Sequence, residues 1–224
     1  MVQHNARNER IKREYFVYLK EAMRQNEATV DQVAKSLSRY EAATSYRDFK
    51  AFRPEAAVSF KRHLASQVSP ASGRPLSKAT LCSTLSDLRR FFHWLAGQPG
   101  YRSRLKYSDA EYFNPSDKDA RVATARRERP APTLEQVRHV IGSMPAVADV
   151  ERRNQALVAF ALVTGARDLA IASMKLKHVD VVEQKVFQDA RDVKTKNSKS
   201  FTTFFFPVGD DILRIVVDWV RFLR

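Results

Sequence analysis

Residues 156–167 read Ala-Leu-Val-Ala-Phe-Ala-Leu-Val-Thr-Gly-Ala-Arg. Leu157, Val158, Phe160, Ala161 and Leu162 leave no polar face, so the helix predicted over about Val150 to Val163 reads as a buried one. Thr164 and Gly165 stop it, and Arg167 follows at once. The near-apolar run from Ala156 to Ala166 falls far short of the roughly 20 residues that a bilayer span needs.

The residues on either side of that stretch set the fold class of the second half. Upstream, Thr133 followed by Gln136 is a capping-box pattern, with Leu134, Val137, Val140 and Ile141 as the apolar face of the helix it opens. Downstream, Val179 to Phe187 and Ser200 to Pro207 are rich in Val, Phe and Thr and read as strands. A polar connection carrying Lys194, Lys196 and Lys199 lies between them. From Asp210 an amphipathic helix presents Ile212, Leu213, Val216, Val217, Val220 and Leu223. Residues 133–224 are therefore expected to be α+β with a small antiparallel sheet.

The first half reads as helices throughout. Ile11, Tyr15, Tyr18, Leu19 and Met23 fall at helical spacing, as do Val30, Val33, Leu37 and Tyr40. Pro54 sits where a first-turn proline is tolerated, ahead of Ala57, Phe60 and Leu64. A loop holding Pro70, Gly73 and Pro75 precedes Ser77, an N-cap for a helix carrying Leu81, Leu85, Leu88, Phe91, Phe92 and Leu95. Gly97, Pro99 and Gly100 end that helix. Four helices make an all-α domain over 1–113. The charged, proline-bounded stretch 114–132, with Arg126, Arg127 and Arg129, reads as a linker whose arginines either track a phosphate backbone or keep the linker solvated.

Composition narrows the partners. The 224 residues carry 39 Lys+Arg against 25 Asp+Glu, a formal net charge of +14. The excess is uneven: from Ala51 to Ser108 ten Lys/Arg face only Glu55 and Asp87, whereas the first fifty residues carry ten against seven acids. A basic segment on an otherwise balanced chain points to phosphate contacts and hence to nucleic acid, with a merely solvated basic surface as the bland alternative. Cys82 stands alone, which excludes an internal disulfide and any Cys-rich zinc site. The five histidines are dispersed, and six glycines form no phosphate-binding loop. A reducing, cytoplasmic compartment with no membrane association is expected, since no apolar leader follows Met1.

Two runs carry a resemblance to a known family. Ala161-Leu162-Val163-Thr164-Gly165-Ala166-Arg167, followed by Met174-Lys175-Leu176-Lys177-His178-Val179-Asp180, resembles the first conserved box of the tyrosine recombinases, or phage-integrase family. The lysine-bearing connection and Phe206-Pro207 resemble the element that follows that box. Leu76-Ser77-Lys78-Ala79-Thr80 and Leu88-Arg89-Arg90-Phe91-Phe92-His93-Trp94-Leu95 are similar to the last helix of the SAM-like core-binding domain that precedes it. The resemblance implies a mostly α chain: a core-binding domain, then the front part of an α+β catalytic domain.

The resemblance also implies a chemistry, namely DNA strand cleavage and rejoining through a phosphotyrosine intermediate, without metal or other cofactor. Arg167 would be the first of two arginines on the scissile phosphate, because a guanidinium offers planar, bidentate donors and stays charged. On position alone it reads rather as a helix C-cap arginine. Lys196 looks most like the family's hairpin lysine, which protonates the leaving 5′ oxygen. Lys199 is the alternative, with Lys194 and whichever of these is not catalytic contacting the DNA backbone. Lys78, Arg89, Arg90, Arg126 and Arg127 complete the expected DNA contacts. The partner implied is a duplex recombination site, on which a homo-oligomer could assemble, in a bacterial or phage nucleoid setting.

Two departures stand out. The family's acid three residues after the arginine is Ala170 here, and Asp168 is the candidate to orient Arg167 in its stead. All seven tyrosines precede Arg167 and no histidine follows His178. The family's second box and its nucleophile are thus missing from these residues, and an amino-terminal part of such an enzyme, inactive alone, is expected. The alternatives are a non-enzymatic DNA-binding regulator that occupies recombination sites, and a basic RNA-binding or architectural protein.

Overall fold

Apolar periodicity builds most of the elements in the computed structural model, which describes residues 4–70, 72–126 and 130–224. The chain divides into two units, Met1–Arg127 and Glu128–Arg224. The first is all helical: α1 (Ala6–Val17) running on into a π-helical turn (Tyr18–Ala22), α2 (Glu27–Ala43), α3 (Pro54–Ser66), α4 (Lys78–Ala96) and α5 (Asp117–Thr124), with a seven-residue 3₁₀ stretch at Tyr107–Phe113.

Each of the five α-helices of this unit starts on a side-chain cap or a first-turn proline, of which Ser77 and Pro54 were expected from the sequence. Asn5, Asn26, Ser77 and Ser116 each accept a backbone N–H from the first turn, and Pro54 opens α3. The core is aromatic. Leu85, Leu88, Phe92 and Leu95 turn inward from α4 and are at most 4% exposed. Phe92 stacks on Phe113 at 5.0 Å and meets Phe49 and Tyr40 edge-on at 5.9 and 5.4 Å.

Beside this core lies a buried polar group of unusual completeness. Glu41 is 1% exposed; its carboxylate accepts from Asn8 Nδ2 at 3.1 Å and from Lys12 Nζ at 2.6 Å. Asn8 Oδ1 accepts the Phe49 N–H, and its amide donates to the Arg47 carbonyl. Burial works to lower the Lys12 pKa, but the hydrogen bonds and charges of Glu41 and Glu9 outweigh it and hold it above the ordinary lysine value.

The stretch read as a linker is partly helical. α5 buries no residue, which is why no apolar stripe announced it. It is held instead by the Ser116 cap, by Asp117 and Asp119 in its first turn, and by the Asp119–Lys78 ion pair at 2.6 Å. The 3₁₀ stretch was also hidden from periodicity, although Ala110 and Phe113 are fully buried.

The second unit comprises α6 (Leu134–Ser143), α7 (Asp149–Thr164), α8 (Asp168–Ser173), a sheet of β1 (Val179–Asp180), β2 (Lys185–Gln188) and β3 (Phe201–Phe204), and α9 (Asp210–Leu223). The sheet is antiparallel in the order β1-β2-β3, with Val186 opposite Val179 on one side and Thr203 on the other. The single strand expected over Val179 to Phe187 is a hairpin: Asp180 Oδ1 accepts the Val182 and Glu183 N–H groups and turns the chain, with Gln184 in the left-handed region at φ 48°. α7 is not buried all round as its composition suggested. Ala156, Ala159, Val163 and Thr164 face inward, while Leu157 and Val158 are 51% and 37% exposed. Small side chains on the inner face let α9 pack closely through Ile212, Val216 and Val220. Trp219 stacks on Phe222 at 5.2 Å, and Phe222 and Leu223 stay about half exposed.

Phe92→Ala removes a fully buried ring among five aromatic neighbours and is expected to destabilise the first unit by about 3–5 kcal/mol. Urea unfolding of the variant measures this.

Candidate functional site

The turn that presents Arg167 is defined atom by atom. Thr164 is 2% exposed; its hydroxyl donates to the Phe160 carbonyl at 2.7 Å and accepts the Ala166 N–H at 3.2 Å. Gly165 follows in the left-handed conformation, φ 58° and ψ 16°, and its N–H closes on the Ala161 carbonyl. A Cβ at Gly165 would stand 2.9 Å from Cε2 of Phe206. Phe206 is brought there by its own N–H, which donates to the Val163 carbonyl at 2.8 Å. The Thr-Gly-x-Arg run and the Phe-Pro run, 40 residues apart, therefore form one contact.

Arg167 stands at the N-cap of α8 in extended backbone, φ −73° and ψ 152°, with its side chain exposed. Among the described residues no acid lies within 4 Å of it. Asp168, the candidate orienting acid, lies in the first turn of α8 with an exposed side chain that makes no ion pair to Arg167. Ala170 is 2% exposed and packs inward.

α8 links the arginine to the lysines. Its last residue, Ser173, accepts the Lys194 N–H on Oγ at 2.8 Å. Six helical residues, about 9 Å, thus separate the Arg167 end from the anchor of the lysine loop. At the loop's far end, Ala190 N–H donates to Ser200 Oγ at 2.9 Å. The tip, Lys196–Ser198, is a tight turn with Asn197 at φ 61° and Ser198 at φ 50°, consecutive left-handed residues of the kind that reverse a hairpin. Lys194, Lys196 and Lys199 are exposed, and none has an acid within 4 Å among the described residues.

Two ion-pair groups brace the stem. Asp189 accepts from Arg191 Nε and Nη2 at 2.9 and 2.7 Å; hydrogen bonds from the Arg191 side chain, then from its backbone N–H, bring the Asp189 pKa down to about 2. Asp192 accepts from Lys175 Nζ at 2.8 Å and pairs with Lys177 Nζ, and these two hydrogen bonds hold its carboxyl well below the usual range. His178, 4% exposed, lies 3.4 Å from Asp192.

The expected DNA contacts of the first unit are occupied to different degrees. Arg89 donates through Nε and Nη2 to Glu111 Oε1 at 3.2 and 3.1 Å. Arg90 reaches Asp87 at 2.7 Å, whose other oxygen accepts from Ser36. Lys78 holds Asp119. Arg126 is exposed without a side-chain partner among the described residues, and Arg127 lies outside them. Periodicity did not signal an open groove of about 870 Å³ between the end of α2 and the start of α3, which gathers Arg47, Arg53 and His63 with Asp48 and Glu55. These residues come from separate elements, and no local pattern in the sequence joins them.

Among the described residues no helix is long and apolar enough to cross a membrane, and no cluster of three or more His, Cys, Asp or Glu has metal-ligating geometry.

No family model and no curated protein matches the chain. Among solved structures, it is similar to an integrase from mycobacterium phage Brujita, at 19% identity over 93% of this chain and 61% of that one, with a TM-score of 0.37. It is also similar to XerA recombinase, at 14% identity over 96% of this chain and 64% of the other, with a TM-score of 0.32. The chain spans less than two thirds of the length of either.

Two outcomes test this geometry. Gly165→Ala places a side chain in left-handed backbone against Phe206, and a loss of at least about 1–2 kcal/mol from the second unit is expected in urea melts. The lowered pKa values of Asp189 and Asp192 stabilise the fold fully above about pH 4, the unfolded value, and that contribution is lost as pH falls through the folded values near 2 and below. Carboxyl chemical-shift titration should place the Asp189 midpoint near pH 2.

Proposed function

We propose that this chain carries the DNA-binding unit and the leading part of the active site of a tyrosine recombinase, acting on duplex DNA. The observation that carries the reading is the turn at Gly165. It sets an exposed Arg167 at one end of α8, and the loop of three lysines is bonded to the other, none of the four having an acid within 4 Å among the described residues. Cations left without carboxylate partners on two linked segments suit a phosphodiester, whose oxygens they would share.

In this reading Arg167 binds two non-bridging oxygens of the scissile phosphate and stabilises the charge that builds there. Lys196, at the reversed tip, donates a proton to the departing 5′ oxygen, and Lys194 and Lys199 bind flanking phosphates. Arg126, exposed and without a side-chain partner among the described residues, is the first unit's own candidate for a phosphate. Arg89, Arg90 and Lys78 join only by leaving Glu111, Asp87 and Asp119, so their share is smaller. Recombination-site specificity, assembly of copies on DNA and a place in the integration of mobile elements belong to the same proposal.

A second reading is favoured by one fact: all seven tyrosines precede Arg167. A polypeptide of these 224 residues then occupies DNA without cutting it, as a regulator would.

Titration of the chain with duplex oligonucleotides tests both. Binding is expected to weaken steeply with salt, because neutralised phosphates release counterions. Arg167→Ala should lower affinity about tenfold or more, the value of a charged hydrogen bond of roughly 1.5–3 kcal/mol. No adduct that survives denaturant is expected on nicked duplex. Salt-independent binding, or an Arg167→Ala variant that binds as the parent does, overturns the assignment.

A further inference from the structure

We propose that Asp192 and His178 form a clamp that sets the position of the lysine loop, and so act as positioning residues for its phosphate contacts. The inference rests on the proposed role of Lys194, Lys196 and Lys199. The ring of His178 is buried, and its Nδ1 accepts the Lys175 N–H at 3.0 Å. A neutral imidazole that accepts on Nδ1 carries its proton on Nε2. That Nε2 makes no hydrogen bond and stands 3.4 Å from Asp192 Oδ2, aimed at the carboxylate without closing on it.

One carboxylate therefore gathers two ammonium groups, of Lys175 and Lys177, from the single turn that leads into β1, and lies 3.4 Å from the His178 ring of the same turn. On its own side, the Asp192 N–H is bonded to the Asp189 carbonyl, and Val193, 2% exposed, is buried next to it. Lys194 follows with its N–H on Ser173. The stem is fixed from two directions, whereas the tip carries only exposed cations. The clamp also withdraws Lys175 and Lys177 from any phosphate, which leaves the tip lysines as the cations that are offered. Neutralising Asp192 should then have opposed effects: two more lysines are released to bind DNA nonspecifically, while the tip loses its fixed place.

Amide hydrogen exchange on the full chain, alone and with a 30-base-pair duplex at low salt, separates these effects. In Asp192→Asn, amides 193–199 are expected to exchange at least tenfold faster while those of α7 and α9 keep their rates. The duplex should then bind at least as tightly as to the parent yet no longer protect the loop. His178→Asn keeps an acceptor near Lys175 but loses the Nε2 contact, and should fall between parent and Asp192→Asn. Unchanged exchange over 193–199 in Asp192→Asn overturns the clamp. If that variant unfolds the unit, Lys177→Gln removes one exposed donor, and the same amides must still accelerate; no acceleration overturns the clamp equally. Protection of the parent loop by duplex is read separately: its absence overturns the lysine assignment under the proposed function, and the exchange of the free chain still decides the clamp.

Discussion

The second unit depends on one backbone conformation, the left-handed residue at position 165. It ends α7, frees the next residues to turn outward, and leaves a space with no Cβ into which the Phe206 ring fits. Without that turn the helix would carry Arg167 on round its own barrel. With it, the arginine is placed at the head of a new helix, and the strand leaving the sheet is bonded to the same spot through Val163. Thr164 completes the arrangement by satisfying the carbonyl of Phe160 and the amide of Ala166, polar groups that a helix end otherwise leaves open.

Within each unit the charges sort into two kinds. Those that build the structure are paired: Arg89 with Glu111, Arg90 with Asp87, Lys78 with Asp119, Lys175 and Lys177 with Asp192. Arg167 and the three tip lysines are unpaired among the described residues. Net charge alone does not distinguish the two kinds. In the strongly basic run of the first unit, Lys78, Arg89 and Arg90 are engaged with acids, so local charge excess overstates what those three offer a phosphate.

What could be read in the sequence and what could not follow from how each element is stabilised. α4 was legible because its stability comes from an apolar stripe, and Leu85, Leu88, Phe92 and Leu95 repeat at the helical period. α5 was not, because a serine cap and the ion pair of Asp119 to the distant Lys78 hold it. α7 was legible as a helix but not in its orientation, since composition cannot say that alanines rather than leucines face inward. The Asp180 turn was missed inside an otherwise apolar run. At the site, Arg167 and the lysines stood out as residues, but their linkage through Ser173 and Phe206 is long-range and has no local signature. Nor did the sequence suggest that His178 would be buried next to a carboxylate.

The buried Glu41 in the first unit bears on where this polypeptide can be cut. Its carboxylate is satisfied by Asn8 and Lys12 of α1, and α1 is held in turn by the Asn8 bond to Phe49. A deletion that removed α1 would take both side-chain donors from Glu41 and strip Ile11 and Tyr15 from the core, which costs more than losing a surface helix. The smallest autonomous fragment of this unit therefore begins no later than the Asn5 cap.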